Sequence, residues 1–247
     1  MSLLSKLGVG AARATLEQQR PGDGRTTAPL HTTSSDAARG IATRSGRFSN
    51  GLKEFLWQLE GLRRGSLLDA GPPWQDTLNF FIERGFKVYT EDLLISWVEF
   101  QREEEQRLKL AAADGEPAAS VDGSPFARAE RFLASNLPYA RDTFDAILLW
   151  DVLDYLDREA ATRVVSQLTK MVRSGGVMLA VFHMRLPEQL HRYRVLDGQN
   201  LELVPAPPIA QPRQIYQNRE IQDLFQGFRS SKFFVGRDQL REGVFTK

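Results

Sequence analysis

Short apolar runs alternate with amphipathic helical segments along much of this chain, and this alternation limits the folds that it can adopt. The runs SLLDA, FKVYTED, FDAILLWD and GVMLAVFHM have the length and composition of buried strands. FDAILLWD does not alternate between apolar and polar residues, which is typical of a strand covered on both faces. Apolar residues recur at helical spacing between the runs. This order of elements indicates a parallel sheet with helices on both of its faces.

Two further segments extend the predicted sheet. ERFLASNLPY, residues 130–139, is interpreted as a third strand with its exit loop, between FKVYTED and FDAILLWD. The closing runs SKFFVG and EGVFTK are separated by a short polar stretch. We expect these two runs to pair as an antiparallel hairpin at the edge of the sheet.

Composition divides the chain into an arm and one domain. Residues 1–47 contain no aromatic residue and are dominated by small residues and arginine, so we expect a disordered N-terminal arm. Residues 48–247 form the predicted domain, in which AAADGEPAASVDGSP is interpreted as an exposed loop. Residues 185–214 include the proline-rich run VPAPPIAQP, which is unsuited to regular structure. We predict that this segment is an insert that caps the substrate cleft.

Composition also argues against several classes of protein. The formal net charge is +1, from 32 basic and 31 acidic side chains, which gives no electrostatic reason to expect a nucleic-acid or membrane partner. The chain has no cysteine, which excludes disulfides and thiolate chemistry, and its three histidines show no metal-ligand spacing. No apolar run approaches the ~18 residues that a membrane span needs. We expect a cytoplasmic protein without a metal.

Polar side chains follow the predicted strands, at the end of the sheet where doubly wound folds bind ligands. In chain order they are Asp69 with Gly71, Asp92, Ser135 with Asn136, Asp151 and His183. An acidic residue after the second strand is the usual device for holding a ribose diol through charge-assisted hydrogen bonds. Asp92 has that position. Helix capping is the alternative explanation, because aspartates often cap the helix that follows a strand.

Several motifs of the chain resemble those of class I S-adenosylmethionine-dependent methyltransferases, in the order found in that family. LLDAG matches the start of the glycine-rich first motif through Asp69 and Gly71, and Asp92 follows Asp69 at an interval of 23 residues, typical of the family. LPY and FDAILLWDVLDYL resemble the stretch around the fourth strand. MVRSGGVMLAVF resembles the turn before strand five, and the closing residues resemble strands six and seven. The resemblance covers roughly residues 50–247.

This resemblance implies an α/β fold, a doubly wound, Rossmann-like, mostly parallel seven-stranded sheet with an antiparallel C-terminal edge strand. It implies S-adenosyl-L-methionine as the cofactor and methyl transfer to an acceptor, a small molecule or a protein, that the sequence does not identify. The cofactor-binding residues implied are Asp69, Ala70, Gly71, Asp92, Leu93, Ser135, Asn136 and Asp151.

Catalytic residues are harder to predict, because in methyl transfer from a sulfonium the positioning of the reactants supplies most of the rate. The candidates are Asp154, Tyr155 and His183. His183 could accept a proton from an oxygen or nitrogen nucleophile. A lone histidine after an apolar strand can equally be structural. Tyr155 stands where the family often has histidine, which weakens the prediction of a base at that position.

The first loop departs from the family pattern. Pro73 and Gln75 replace its second and third glycines, and the prolines at 72 and 73 remove two backbone N–H donors. In one interpretation the loop has a different shape and still binds cofactor, with Trp74 at its border. In another, Trp74 fills the pocket, and the chain is a catalytically silent methyltransferase-like domain used for protein interaction. A different nucleotide-using Rossmann-like enzyme is a third alternative.

Overall fold

A computed structural model describes residues 46–113 and 123–247 of the chain. Most of the predicted N-terminal arm and most of the linker AAADGEPAASVDGSP lie outside these described residues. Arg47 and Phe48 form a first short strand, so the predicted domain boundary at residue 48 falls inside an element. Among the described residues no helix combines the length and the apolar character that crossing a membrane requires.

The described strands form two sheets. In chain order they are β1 (Arg47–Phe48), β2 (Gly65–Asp69), β3 (Phe86–Thr90), β4 (Phe144–Leu149), β5 (Val172–His183), β6 (His191–Val195), β7 (Asn200–Pro205), β8 (Ser230–Val235) and β9 (Leu240–Thr246). The helices are α1 (Asn50–Gln58), α2 (Gln75–Ile82), α3 (Leu93–Ala113), α4 (Pro125–Asn136), α5 (Arg158–Met171) and α6 (Asn218–Leu224), with a short 3-10 helix at Asp151–Tyr155.

The main sheet has six described strands in the order β3-β2-β4-β5-β9-β8. β3, β2, β4 and β5 are parallel, and β9 runs antiparallel to both of its neighbours. The α/β class and the pairing of the two closing runs are therefore confirmed. The predicted position of the antiparallel strand is wrong, because β9 lies inside the sheet and β8 forms its edge. Burial explains this order, since every residue of β9 is buried whereas β8 is largely exposed.

The predicted third strand is a helix. Residues 125–136 form α4, which begins at the N-cap Ser124, whose hydroxyl accepts a hydrogen bond from the Ala127 N–H at 3.2 Å. Pro125 occupies the first turn, where its missing N–H costs nothing. Ala129, Phe132 and Leu133 share the buried face at helical spacing. This helix accounts for the absence of a seventh strand from the main sheet within the described residues.

Helices cover both faces of the main sheet, as predicted for a doubly wound fold. One apolar cluster contains buried side chains of α3, α4, α5 and α6. The other contains Leu52 and Phe55 of α1 and Phe80 and Phe81 of α2. Side chains of β2, β4, β5 and β9 contribute to these two clusters from opposite faces. The core therefore has the layered arrangement of an α/β domain.

The predicted capping insert, residues 185–214, contains a β-hairpin made of β6 and β7. The hairpin pairs with β1 in a separate three-stranded sheet. The Asp197 carboxylate closes its turn by accepting hydrogen bonds from the N–H groups of Gln199 and Asn200, each at 2.9 Å. Tyr193 and Val195 of β6 are buried in the apolar cluster of α1 and α2. The hairpin is thus part of the core rather than a loose cover.

Candidate functional site at the carboxyl ends of the strands

The ends of β2, β4 and β5 bring several predicted site residues to one region of the sheet. Asp69 closes β2, Asp151 follows β4 and His183 closes β5. Asp92 lies two residues beyond β3 and exerts a Coulombic effect on Asp69. The register of the parallel strands explains this convergence, because their carboxyl ends share one edge.

Asp69 is a buried carboxyl group with only part of its hydrogen-bonding capacity satisfied. Its Oδ1 accepts a hydrogen bond from the indole N–H of Trp150 at 2.7 Å. Within the described residues its Oδ2 is buried without a hydrogen-bond partner. Burial raises the pKa of Asp69 to about 7, and the bonds from Trp150 and the Gly71 backbone only partly oppose this effect. A carboxyl group with this pKa is typical of a functional site.

Trp150, which the sequence analysis did not select, fills the space above the first loop. A Cβ atom on Gly71 would lie 2.4 Å from Cδ1 of Trp150, so glycine is required at this position by the indole. On its other side the Trp150 ring stacks on Tyr193, with ring centroids 5.3 Å apart and planes 3° from parallel. In this conformation the space that Gly71 leaves free is therefore occupied by the Trp150 ring.

Asp92 pairs with an arginine of the hairpin. Its two carboxylate oxygens lie 2.8 and 3.1 Å from Nη2 of Arg192. Asp92 Oδ1 also accepts a hydrogen bond from the Ile95 N–H at 3.2 Å, so Asp92 caps α3 as well. Asp92, the residue predicted to bind a ribose, thus has two other partners, the Arg192 guanidinium and the Ile95 N–H.

A third group of contacts joins Asp151, Asp154 and His183. His183 Nδ1 lies 2.9 Å from Asp154 Oδ2, which also accepts the His183 backbone N–H at 2.8 Å. His183 Nε2 lies 3.7 Å from Asp151 Oδ2, and the Tyr193 hydroxyl donates to the same oxygen at 3.1 Å. Two carboxylates therefore flank one imidazole, an arrangement that fixes its orientation.

The protonation of this group follows from burial and charge. Burial raises the pKa of Asp151 to about 7, although the positive charge of His183 opposes the shift. Burial by itself lowers the pKa of His183, but the hydrogen bond to Asp154 and the charge of Asp151 outweigh it and raise that pKa. The imidazole lines an open groove of about 570 Å³, together with Arg185, His191 and Asp238. This group can exchange a proton with a molecule in that groove.

Of the other predicted site residues, Ala70 lines the strand-end cleft beside Gly71, whereas Leu93, Ser135, Asn136 and Tyr155 are not among its lining residues. Ala70 and Leu93 are buried in the apolar core. Ser135 and Asn136 lie at the C-terminal end of α4, and the Asn136 amide donates to the Phe132 carbonyl at 3.0 Å. Their predicted position after a strand is therefore wrong, because that strand is a helix. Tyr155 lines a different groove, between α3 and the segment that follows β7.

Trp74 does not fill the cleft. It is half-buried at the start of α2, with the guanidinium of Arg194 5.2 Å from its ring centroid. The cleft itself is lined by Gly71, Trp150, Arg192 and Tyr193, among others, and encloses only about 10 Å³, room for one water molecule. The interpretation in which Trp74 fills the pocket is therefore wrong, and Trp150 lines the cleft instead.

The residues present fit S-adenosylmethionine only in part. The unpartnered Oδ2 of Asp69 is suited to a positively charged group, and the Asp92 carboxylate is suited to a diol. In the conformation described, however, Trp150 covers the first loop and Arg192 holds Asp92. A nucleoside therefore does not fit this cleft unless both side chains move.

Comparison with solved structures finds several S-adenosylmethionine-dependent methyltransferases. The 1,6-didemethyltoxoflavin-N1-methyltransferase of Burkholderia thailandensis, solved with S-adenosylhomocysteine, is 18% identical over 79% of this chain and 74% of its own, with a TM-score of 0.41. A methyltransferase from Aquifex aeolicus is 14% identical over 78% and 88%, with a TM-score of 0.40. One from Methanosarcina mazei is 13% identical over 75% and 93%, with a TM-score of 0.37. No protein-family model and no curated protein matches the chain. The family that the motifs resemble is thus also found among structures similar to this chain.

Proposed function

We propose that this chain is an S-adenosylmethionine-dependent methyltransferase whose cofactor cleft is closed in the conformation described. The observation that carries the proposal is the group of buried acids at the ends of β2 and β4, in which one oxygen of Asp69 and one of Asp154 have no partner among the described residues. An unpaired buried polar group typically costs about 1–3 kcal/mol, and more if it is charged. A domain that only needed a filled core would gain stability by losing these carboxyl groups.

The residues divide into two roles under this proposal. Asp92 would hold the ribose hydroxyls and Asp69 would face the cationic part of the cofactor, which supplies an electrophilic methyl group when bound. Trp150 and Arg192 must first leave the positions that they occupy. The prolines of the first loop lie beside the cleft, with Pro72 among its lining residues.

His183 is proposed to take up the proton that is lost by the molecule receiving the methyl group. Asp154 orients its imidazole through Nδ1, and the groove of about 570 Å³ gives an oxygen or nitrogen nucleophile access to that side chain. Asp154 is then a positioning residue, because its contact is with His183 rather than with the groove. The acceptor is a small molecule or an accessible protein side chain.

One observation favours a second candidate, a catalytically silent domain used for protein interaction. Trp150, Tyr193 and Arg192 contact Asp69, Asp151 and Asp92, respectively, and leave a cleft of only about 10 Å³. In this alternative the closed cleft is the permanent state of the molecule. The two candidates differ in whether the native chain opens to admit a nucleoside.

Isothermal titration of the native chain with S-adenosylhomocysteine tests the proposal. We expect binding, and we expect Asp92→Ala to weaken it by roughly tenfold or more, because a charge-assisted pair of hydrogen bonds is lost. Asp223→Ala, which removes an exposed carboxylate on α6, is the matched control and should bind as the native chain does. Unchanged affinity in a folded Asp92→Ala protein would remove the ribose assignment.

A further inference from the structure

A groove of about 740 Å³ lies beside α3, at a place that the proposed function does not use. Trp97 and Leu108 of α3 and Ile209 and Ala210 of the segment after β7 give it apolar walls. Its volume is within the range of small-molecule sites, which is about 300–1,000 Å³. It shares no lining residue with the closed cleft at the strand ends. The groove is therefore a separate site on the same domain.

Two polar groups of the groove lining have no partner. Trp97 is 1% exposed and Tyr155 is 2% exposed. Within the described residues neither the Trp97 indole N–H nor the Tyr155 hydroxyl makes a hydrogen bond. Buried hydrogen-bond donors rarely lack an acceptor unless a ligand or a water molecule supplies one. Two such donors among the residues of one groove point to a ligand that accepts hydrogen bonds.

The charged residues that line this groove are three arginines, Arg102, Arg128 and Arg213, and two glutamates, Glu104 and Glu105, so its lining has a net charge of +1. Arg102 and Arg213 both line it, and neither guanidinium has an ion-pair partner in the part of the chain that the structure describes. Glu104, by contrast, is already engaged, since its Oε1 accepts a hydrogen bond from Nη2 of Arg131 at 2.6 Å and its Oε2 lies 3.5 Å from Arg128. Guanidinium groups recognise carboxylates and phosphates through several N–H donors at once. The charge and the donors thus favour the same kind of ligand.

We propose that this groove binds a small organic anion with a flat apolar body, an aryl carboxylate or an aryl phosphate. The apolar walls cover the body, while Arg102 and Arg213 attract the anionic group. The N–H of Trp97 and the O–H of Tyr155 donate to oxygen atoms of the ligand. This site does not depend on S-adenosylmethionine, so the proposal does not rest on the proposed function.

Calorimetric titration of the full chain, without S-adenosylhomocysteine, tests the site. The probes are 2-naphthoate, 2-naphthyl phosphate and the neutral isostere 2-naphthamide. We expect at least one of the two anions to bind, and the amide to bind about tenfold more weakly or not at all. Binding of the carboxylate alone or of the phosphate alone supports the site and identifies its anion. No heat from either anion at low millimolar concentration, or equal affinity for the amide, overturns the proposal.

Conservative variants then locate the binding. Tyr155→Phe removes an unpartnered hydroxyl, so it should weaken the anion roughly tenfold without lowering the melting temperature. Arg213→Gln should weaken it similarly. Arg64→Gln, which removes an exposed guanidinium just before the amino end of β2, is the control and should bind like the native chain. Native affinity in both Tyr155→Phe and Arg213→Gln overturns the assignment to this groove.

Discussion

Asp69 shows how one buried side chain links the fold to the candidate site. It closes β2, accepts the Trp150 indole N–H at 2.7 Å, and keeps its second oxygen buried without a partner among the described residues. Its pKa is raised to about 7, mainly by burial. The group is therefore protonated in the folded protein over a range of pH in which it ionises in the unfolded chain.

The pH dependence of stability should reveal this titration. Between an unfolded pKa near 3.8 and the folded value of about 7, unfolding releases a proton, so Asp69 lowers stability as pH rises through this window. The full effect is at most roughly 4 kcal/mol, from about 1.4 kcal/mol per pKa unit. Asp69→Asn should remove this part of the slope. Urea unfolding of both proteins between pH 4.5 and 7.5 checks the prediction, and parallel profiles would contradict it.

At the residue scale, the positions of the acidic residues could be predicted from the sequence, but the side chains that contact them could not. Asp69, Asp151 and His183 come directly after apolar runs, and strand topology alone brings such positions together. Arg192 reaches Asp92 across 100 residues of chain, which no local spacing encodes. Trp150 ends an apolar run and is therefore read as core. Its large side chain immediately before Asp151 was the one available signal that the cleft is filled.

At the scale of elements, the β6–β7 hairpin supplies two of the residues that line the closed cleft. Its residues Arg192 and Tyr193 contact Asp92 and Asp151. A buried hydrogen bond from the Val195 N–H to Thr77 Oγ1, at 3.0 Å, fastens the hairpin to α2. Opening the cleft by moving the hairpin as a unit would break all three contacts, so side-chain movement of Trp150 and Arg192 is the less costly route.

Thr77→Val tests this attachment. The change keeps the shape of the side chain but leaves the buried Val195 N–H without its acceptor, which should lower the free energy of unfolding by about 1–3 kcal/mol. Thr162→Val is the matched control, because the Thr162 hydroxyl makes an exposed bond to the Arg158 carbonyl in α5. Chemical denaturation of both variants gives the comparison, and equal losses of stability would show that the buried bond has no special role.

The element that sequence reasoning misassigned is α4. The run ERFLASNLPY has too few apolar residues for its periodicity to separate a strand from one face of a helix. Its helix signals lie upstream, in Ser124 and Pro125, which are the last two residues of the run predicted to be an exposed loop. The alternation of strands and helices also favoured a strand at this place. In the structure, the N-cap at Ser124 starts a helix, and this segment becomes α4 rather than a strand.

At the scale of the whole molecule, the insertion of β9 between β5 and β8 connects the C-terminal strand with α1. Glu242 of β9 is buried, and its carboxylate accepts a hydrogen bond from the Gly51 N–H at the start of α1, at 2.7 Å. Arg47 of β1 forms an ion pair with the same carboxylate. The antiparallel strand could be predicted from the sequence, whereas these contacts with residues near the start of the domain could not.

Gly51→Ala should therefore destabilise the protein even though alanine favours helix. A Cβ atom at this position would lie 2.7 Å from the Cβ of Glu242, and relieving the clash should cost about 1–3 kcal/mol. Gly123→Ala adds a Cβ atom with nothing within 4 Å and is the control. Thermal melting of the two variants distinguishes them, and a higher melting temperature for Gly51→Ala would contradict this account of how α1 is placed.

We propose that the strand-end cleft is a cofactor site that Trp150 closes. Trp150→Met keeps an apolar side chain there but removes the ring that covers Gly71. Trp57→Met, at an exposed tryptophan of α1, is the matched control. Melting curves of both variants establish that each is folded before any ligand is added.

Isothermal titration of Trp150→Met with S-adenosylhomocysteine, beside the native chain, is the most direct test of this claim. We expect both proteins to bind, and Trp150→Met to bind about tenfold more tightly, because the ligand no longer has to displace the indole. Trp57→Met should bind as the native chain does. Binding by Trp150→Met alone would favour the silent domain, and no heat from the folded Trp150→Met protein at high micromolar ligand would contradict the account.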